Sequence, residues 1–179
     1  PSYLQAEMSP SRLAPGHAGV ATITLDSRKI RDYGLTQTGI YLGFVPGDKV
    51  APTKELTISA VLLPDFKDAG EQARIAMPKM QLSATTLHLG NFGNKRKQSG
   101  RILIQNMGRA TLEIERLQMF TGGIKVAMNK SRIEPGKIAI LIVTVVEEEL
   151  KKVRSKPRIL MITNDPDQPK VIIDIEVEK

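Results

Sequence analysis

A stretch of sequence that the chain uses twice decides the fold. Residues 128–145 read MNKSRIEPGKIAILIVTV, and residues 8–25 read MSPSRLAPGHAGVATITL. Met, Ser, Arg, Pro, Gly and Thr recur between the two stretches at a fixed offset of 120 residues. Matches at one offset without a gap indicate an internal duplication. We therefore predict that the same β-structure occurs twice in this chain.

The alternation of apolar residues in the repeat predicts which face of each strand is buried. Side chains on one face of a strand recur at every second residue. The positions that are apolar in both copies, and therefore predicted to face a core, are Ala21, Ile23, Leu25, Leu141, Val143 and Val145. At the same offset, the matched pairs further along are Ile40 with Leu160, Leu42 with Ile162 and Pro46 with Pro166. After the turn at Gly47–Lys54 the offset falls to 115, so four strands are expected in both copies.

The second copy begins with material that the first copy lacks. Residues 65–78 are polar and lie between prolines, which predicts a linker with room for one helical turn. Four short β segments follow, near residues 80–83, 86–89, 101–104 and 112–115. Together with the shared strands they give about seven strands in roughly 100 residues, as in an immunoglobulin-like sandwich. We predict an all-β chain with tandem immunoglobulin-like β-sandwiches, of which 1–64 is the C-terminal part of the first and 79–179 is complete.

The duplication also predicts an open face in the first copy. A complete first copy would begin about 40 residues ahead of Pro1, if it were as long as the second. Without those strands Ala21, Ile23, Leu25 and Ile40 would face water. Burying each such side chain is worth about 1.5–3 kcal/mol. We therefore expect that upstream sequence, or another chain in an oligomer, covers this face.

Composition restricts the functional classes. The net charge of +7 permits contact with nucleic acid, but the 26 Lys and Arg are mixed with 19 acidic residues along the chain. The absence of Cys excludes disulfides, thiolate metal sites and thiol nucleophiles in this segment. No apolar run approaches the roughly 20 residues of a transmembrane helix. His17 and His88 lie in different copies, and no nucleophile, base and orienting group share a motif. We expect no catalytic residue, no cofactor and no metal site.

Five motifs of the second copy carry a resemblance to a known family. They are LGNFG at 89–93, ILIQNMG at 102–108, LEI at 112–114, IEPG at 133–136 and ITNDP at 162–166. In this order they resemble a bacterial envelope family of unknown function, related to the hydin-like and major-sperm-protein-like immunoglobulin domains. The resemblance implies secreted, periplasmic or lipid-anchored proteins, often of Bacteroides-like bacteria, without established catalysis. Members often carry Cys-Gly-Cys where this chain has Phe120-Thr-Gly-Gly123, so no redox or metal role follows here.

Loops at the sandwich ends are the candidate interaction surfaces, because such folds bind through end loops or edge strands. The candidate residues, from three loops, are Asp48, Lys49, Asn91, Phe92, Lys95, Arg96, Lys97, Met119 and Phe120. The leading hypothesis is a non-catalytic binding or structural module of a bacterial cell envelope, with a protein or envelope polymer as partner. The alternatives are a basic nucleic-acid-binding protein and an accessory domain of an enzyme.

Two of the motifs have competing interpretations. The basic run at 95–97 could contact phosphates, but only Phe92 is near to stack on a base, which favours a solvated loop. The Asn164–Asp167 segment offers oxygens for a hard cation, but it lacks the other ligands of a calcium loop. A turn in which Asn and Asp bond their own backbone is the favoured interpretation.

Overall fold

Nearly all regular structure in the chain is β-strand. The computed structural model describes residues 1–43, 45 and 47–178, so the match of Pro46 with Pro166 lies outside the described residues. The first half contains β1 (Leu4–Ser9), β2 (Val20–Leu25), β3 (Gly34–Tyr41) and β4 (Glu55–Leu62). The segment interpreted as a linker contains α1 (Glu71–Ile75). The all-β class is confirmed.

The second half contains nine strands and one helical turn. Its elements are β5 (Met80–Leu82), β6 (Thr86–Leu89), β7 (Lys97–Asn106), β8 (Leu112–Met119), β9 (Ile124–Met128), β10 (Arg132–Ile133), β11 (Ile138–Val146), α2 (Glu147–Leu150), β12 (Arg158–Thr163) and β13 (Lys170–Val177). The count exceeds the predicted seven, and the strand that no predicted segment covers is β10, which is only two residues long. Strand β7 is also longer than the predicted segment at 101–104. No helix among the described residues is long and apolar enough to span a membrane.

Two sheets of the second half enclose an aliphatic core. One has the strand order β10-β8-β12-β13-β6 and the other has β5-β7-β11-β9. All neighbours are antiparallel except β13 and β6, which are parallel. The core residues come from both sheets, and Ile102, Leu141, Ile159 and Ile173 are each 0% exposed. On β11 the odd-numbered positions are buried, as the repeat predicts. The second half is therefore a sandwich-type fold.

The first hairpin repeats a ladder of the second half pair for pair. In β1 and β2, Leu4 faces Leu25 and Met8 faces Ala21. In β9 and β11 the partners at the same offset of 120 face each other, from Ile124 with Val145 to Met128 with Leu141. The closing bond also recurs: the Asp26 amide donates to the Tyr3 carbonyl at 2.8 Å, and the Val146 amide donates to the Gly123 carbonyl at 2.8 Å. Residues 5–25 and 125–145 thus form the same ladder.

The second hairpin, formed by β3 and β4, repeats the hairpin of β12 and β13, but β3 is offset from β12 by 121 residues. Thr38 faces Ile58 as Ile159 faces Ile173. The Leu42 amide donates to the Lys54 carbonyl at 2.9 Å, as the Thr163 amide donates to Pro169 at 3.1 Å. The equivalent of Ile40 is therefore Met161, and matching Ile40 with Leu160 and Leu42 with Ile162 was wrong by one residue. Between equivalent positions, the connection from β11 to β12 is one residue longer than the connection from β2 to β3. Because side chains alternate between the two faces of a strand, an alignment that is wrong by one residue assigns every side chain to the wrong face.

The two halves meet where β3 begins. Leu160 and Ile162 are fully buried although they point away from the core side of β12. Gln118 faces Leu160 in the ladder, and its Oε1 accepts a hydrogen bond from the Leu35 amide at 2.6 Å. Its Nε2 donates to the Leu35 carbonyl at 3.2 Å. The neighbouring Gly34 has a φ of +104°, and a Cβ there would lie 2.5 Å from Gln118 Oε1. The close approach therefore requires glycine.

Replacing Gln118 with Ala is expected to loosen this contact selectively. Two hydrogen bonds to one backbone position are lost, which should cost about 1–2 kcal/mol. Hydrogen exchange at the Leu35 amide should accelerate, while exchange in β11 stays slow. Gln81→Ala, on the exposed face of β5, is the matched control and should leave the Leu35 amide unchanged. Equal Leu35 exchange in the two variants would show that Gln118 does not hold β3.

Candidate functional site

Two of the three predicted loops lie together at one end of the second half. The Glu147 amide, at the start of α2, donates to the Arg96 carbonyl at 3.1 Å. On the other side of α2, a Cβ on Gly123 would lie 2.9 Å from the Leu150 amide nitrogen. Gly123 has a φ of +82°, a conformation that L side chains rarely adopt. Residues 91–97 and the turn at 119–123 therefore flank α2.

An apolar cleft of about 600 Å³ opens between the first of these loops and α2. Its apolar lining comes from Phe92, Leu150 and Val177. Its polar lining comes from Asn91, Glu147, Lys151 and Glu178, together with the backbone at Gly93. We refer to these eight residues as the Phe92 cleft. Three segments distant in sequence build it, so it is a product of the fold.

Local hydrogen bonds position Phe92. The Lys95 amide donates to the Phe92 carbonyl at 2.7 Å, and Gln98 Nε2 donates to the Asn91 carbonyl at 2.5 Å. These bonds close a turn that directs the Phe92 ring toward the core, where it is half-buried against the apolar cluster. The Phe92 side chain at the floor of the cleft is therefore held in place and does not rotate freely at the surface.

Charged side chains of both signs surround the cleft. Lys95, Arg96 and Lys97 are exposed. Lys97 belongs to β7, where it faces Val146 of β11, so the basic run is partly strand and not all loop. Across α2, Lys151 Nζ lies 2.6 Å from Glu147 Oε1. The result is an apolar floor with a rim of mixed charge, in which Glu147 and Glu178 are acidic and Lys151 is basic, while the exposed basic run lies on the adjoining hairpin.

The loop that contains Met119 and Phe120 presents a smaller feature. Met119 and Phe120 are 43% and 40% exposed. Phe120 lines a second cleft of about 290 Å³ with Ser155, Lys156 and Arg158. The Met119–Phe120 turn lies on the other side of α2 from the Phe92 cleft, and it presents its aromatic ring among basic residues.

Asp48 and Lys49 lie apart from this end. Their loop joins β3 to β4, the position that the β12–β13 turn holds in the second half. Asp48 Oδ2 accepts from Lys54 Nζ at 2.7 Å, and Lys49 is exposed. In the second half, the equivalent turn between β12 and β13 lies at the end of the sheets opposite α2. The loop therefore belongs to the corresponding end of the first half. The structure therefore does not gather all the predicted residues into one surface.

The polar side chains of the Asn164–Asp167 segment serve the fold. Asp165 is 0% exposed, its Oδ2 accepts from the Met80 amide at 2.6 Å, and its Oδ1 accepts from the Asp167 amide at 2.8 Å. Asn164 Oδ1 accepts from the Glu113 amide at 2.8 Å. This confirms the turn interpretation of 164–167. The sequence did not predict that these side chains also fasten β5 and β8 to the turn.

Titratable side chains outside the cleft do not converge on a centre. Among the described residues no three or more His, Asp or Glu side chains are arranged to hold a metal ion. His88 Nδ1 lies 3.3 Å from Glu176 Oε2 on an exposed strand pair, and His17 is exposed in the other half. At the corner after β2, a hydrogen bond from Arg28 lowers the pKa of Asp26. These contacts are therefore electrostatic interactions at the surface of the strands and corners.

Comparison with known proteins identifies a fold likeness. No protein-family model matches the chain, and no curated protein matches it. A crystal structure of a protein of unknown function from Porphyromonas gingivalis W83 superposes with a TM-score of 0.72 at 18% identity, over 100% of this chain and 81% of that one. The secreted serine protease VesC from Vibrio cholerae gives a TM-score of 0.37 at 9% identity, over 70% of this chain and 27% of that one, and carries no argument. The chain therefore shares its overall fold, through both halves, with the Porphyromonas protein.

Proposed function

We propose that the chain is a non-catalytic binding module of a bacterial cell-envelope protein, built from tandem immunoglobulin-like sandwiches. The observation that carries the proposal is the Phe92 cleft. Its floor is apolar and anchored to the core, while the rim is charged. Concave apolar surfaces with a few polar groups at the rim are the usual places where proteins bind ligands. Aromatic anchors at the centre of such surfaces contribute most of the binding free energy.

The chemistry of the cleft favours a protein partner with an apolar side chain beside charged groups. An apolar side chain would displace water from Phe92, Leu150 and Val177. Acidic groups of the partner would meet the exposed Lys95 and Arg96 on the adjoining loop, and basic groups would meet Glu147 and Glu178 of the lining. An envelope polymer that carries both apolar and charged groups would fit the same surface. The resemblance of the five motifs supports an envelope location, and fractionation of native cells tests it.

Photo-crosslinking tests the cleft directly. A benzophenone analogue of phenylalanine replaces Phe92 in one variant and Phe120 in the control variant, each introduced into the native gene. We expect a discrete adduct from position 92, suppressed when wild-type chain competes, and at least tenfold less adduct from position 120. Similar labelling from both positions, or labelling that wild-type chain does not suppress, would contradict a specific cleft.

Nucleic acid is the second candidate, because Lys95, Arg96 and Lys97 are exposed together on one hairpin. Neutralising phosphates makes binding fall steeply with salt, so fluorescence anisotropy with duplex DNA between 50 and 200 mM salt is the measurement. We expect no measurable binding even at the lower salt. Binding that charge reversal of 95–97 abolishes, but reversal of Lys151 and Lys152 does not, would replace the envelope proposal.

A further inference from the structure

The edge of β2 that faces away from β1 is exposed and uncharged. The Asp26 amide bonds to β1, so the amides of Ala21, Ile23 and Leu25, which alternate with it, point to the opposite edge. No described strand pairs with that edge. The sequence of β2, VATITL, contains no charge and no proline. Natural proteins normally protect an exposed edge with such residues, so this edge has the composition of a covered one.

The second half shows what covers the equivalent edge. The counterparts of these three residues, at an offset of 120, are Leu141, Val143 and Val145. On β11 they face β7, opposite Ile102, Gly100 and Gln98. Each of the three β11 side chains is 0% exposed. In the first half, by contrast, Ala21 is exposed and Ile23 and Leu25 are only half-buried.

The outward edges of β3 and β4 also lack the neighbouring strands that their counterparts, β12 and β13, have in the second half. The outward edge of β12 pairs with β8, and the outward edge of β13 pairs with β6. Among described residues, β3 and β4 pair only with each other. The Gln118 amide group occupies the β3 edge at Leu35, beyond the positions that pair with β8 in the second half. The Gln118 side chain therefore occupies one end of the outward edge of β3. No described strand pairs with the rest of that edge, from Gln37 to Tyr41.

We propose that a four-stranded segment of the same polypeptide, laid out as residues 80–119 and lying directly ahead of Pro1, pairs with these three edges and closes the first half into a second sandwich. The covering segment would add antiparallel strands to β2 and β3 and a parallel strand to β4, as β7, β8 and β6 do in the second half. Its β7-like strand places small or apolar residues opposite Ala21 and Ile23.

The short connection between β8 and β9 assigns the segment to the same polypeptide rather than to a second molecule. In the second half only residues 120–123 separate the end of β8 from the start of β9. An equivalent strand on β3 would thus end within a tight turn of Leu4, where a direct covalent connection is the shortest path.

Hydrogen exchange compares the 179-residue chain with a longer chain that includes about 40 preceding residues of its own gene. We expect the amides of Ala21, Ile23 and Leu25 to exchange at least 100-fold more slowly in the longer chain. Those of Leu141, Val143 and Val145 should be protected in both. Unchanged exchange at Ala21, Ile23 and Leu25 would overturn the proposal, as would protection in the 179-residue chain that appears only on dimerisation. Neither result bears on the Phe92 cleft.

A pair of variants of the longer chain separates strand covering from general stabilisation. Ile23→Asp places a charge on the face that the segment would bury, whereas Thr22→Asp places it on the opposite, exposed face. We expect Ile23→Asp to abolish the protection in β2 while leaving β11 protected, and Thr22→Asp to preserve it. Equal protection in both variants would overturn the proposal, since a covered face cannot accept an unpaired carboxylate at no cost.

Discussion

Replacing Asn106 with Ala is expected to lower the free energy of unfolding by about 3–5 kcal/mol. Its side chain is 0% exposed and joins three segments. Nδ2 donates to the Ala110 carbonyl at 2.7 Å and to the Ile133 carbonyl at 2.8 Å, and Oδ1 accepts from the Gly108 amide at 2.9 Å. Truncation leaves the buried Ile133 carbonyl without this partner, which costs about 1–3 kcal/mol, and it also removes the bonds to the half-buried Ala110 carbonyl and Gly108 amide.

A matched variant removes an asparagine that makes a bond at the surface. Asn129 is exposed, and its Oδ1 accepts from the Ile140 amide at 2.8 Å. Water can replace that bond, so Asn129→Ala should cost less than about 1 kcal/mol. Urea denaturation of the two variants is the measurement. Equal midpoints would show that the buried amide is not the fastener between β7 and the turn before β8.

Replacing Leu141 with Ala is expected to cost about 2–5 kcal/mol, through lost burial and the cavity left behind. Leu141 is 0% exposed at the centre of β11, between β7 and β9. Its counterpart in the first half is Ala21 on an exposed strand, where the same small side chain creates no cavity. Since the equivalent position of β2 already carries alanine, we attribute the expected loss of stability in Leu141→Ala to lost packing and not to the lower strand propensity of alanine.

Ile142→Ala is the control for Leu141. It removes an aliphatic side chain from the adjacent position of the same strand, where 40% of the residue is exposed. The expected loss is about 1 kcal/mol or less, because less apolar surface returns to water. Thermal unfolding should lower Tm clearly more for the Leu141 variant. Similar Tm values for the two would contradict the assignment of the odd-numbered face to the core.

The sequence predicted the buried face where alternation and duplication act together. Strand β11 alternates clearly, and its odd-numbered face is buried as the repeat indicates, whereas the pairing of the strands became visible only in the ladders. The third strand was misaligned by one residue because Leu160, Met161 and Ile162 are all apolar and all buried. A strand covered on both faces has no polar side to mark its register. Only the ladder distinguishes the two alignments.

The candidate site was predictable only in part. Phe92 is recognisable as an aromatic residue between glycines, but its neighbours in the cleft come from α2 and the end of β13. Glu147–Leu150 forms a helical turn that builds one wall of the cleft. Tertiary proximity of this kind leaves no local signal, because it depends on how β7, β11 and β13 end together.

The amide pairing between Gln118 and Leu35 has a mechanical consequence. Arg116 Nε donates to the neighbouring Tyr33 carbonyl at 3.2 Å, so two side chains of β8 hold the backbone just ahead of and within β3. Pulling the two halves apart would load these hydrogen bonds directly, so Gln118→Ala should lower the force at which the halves separate.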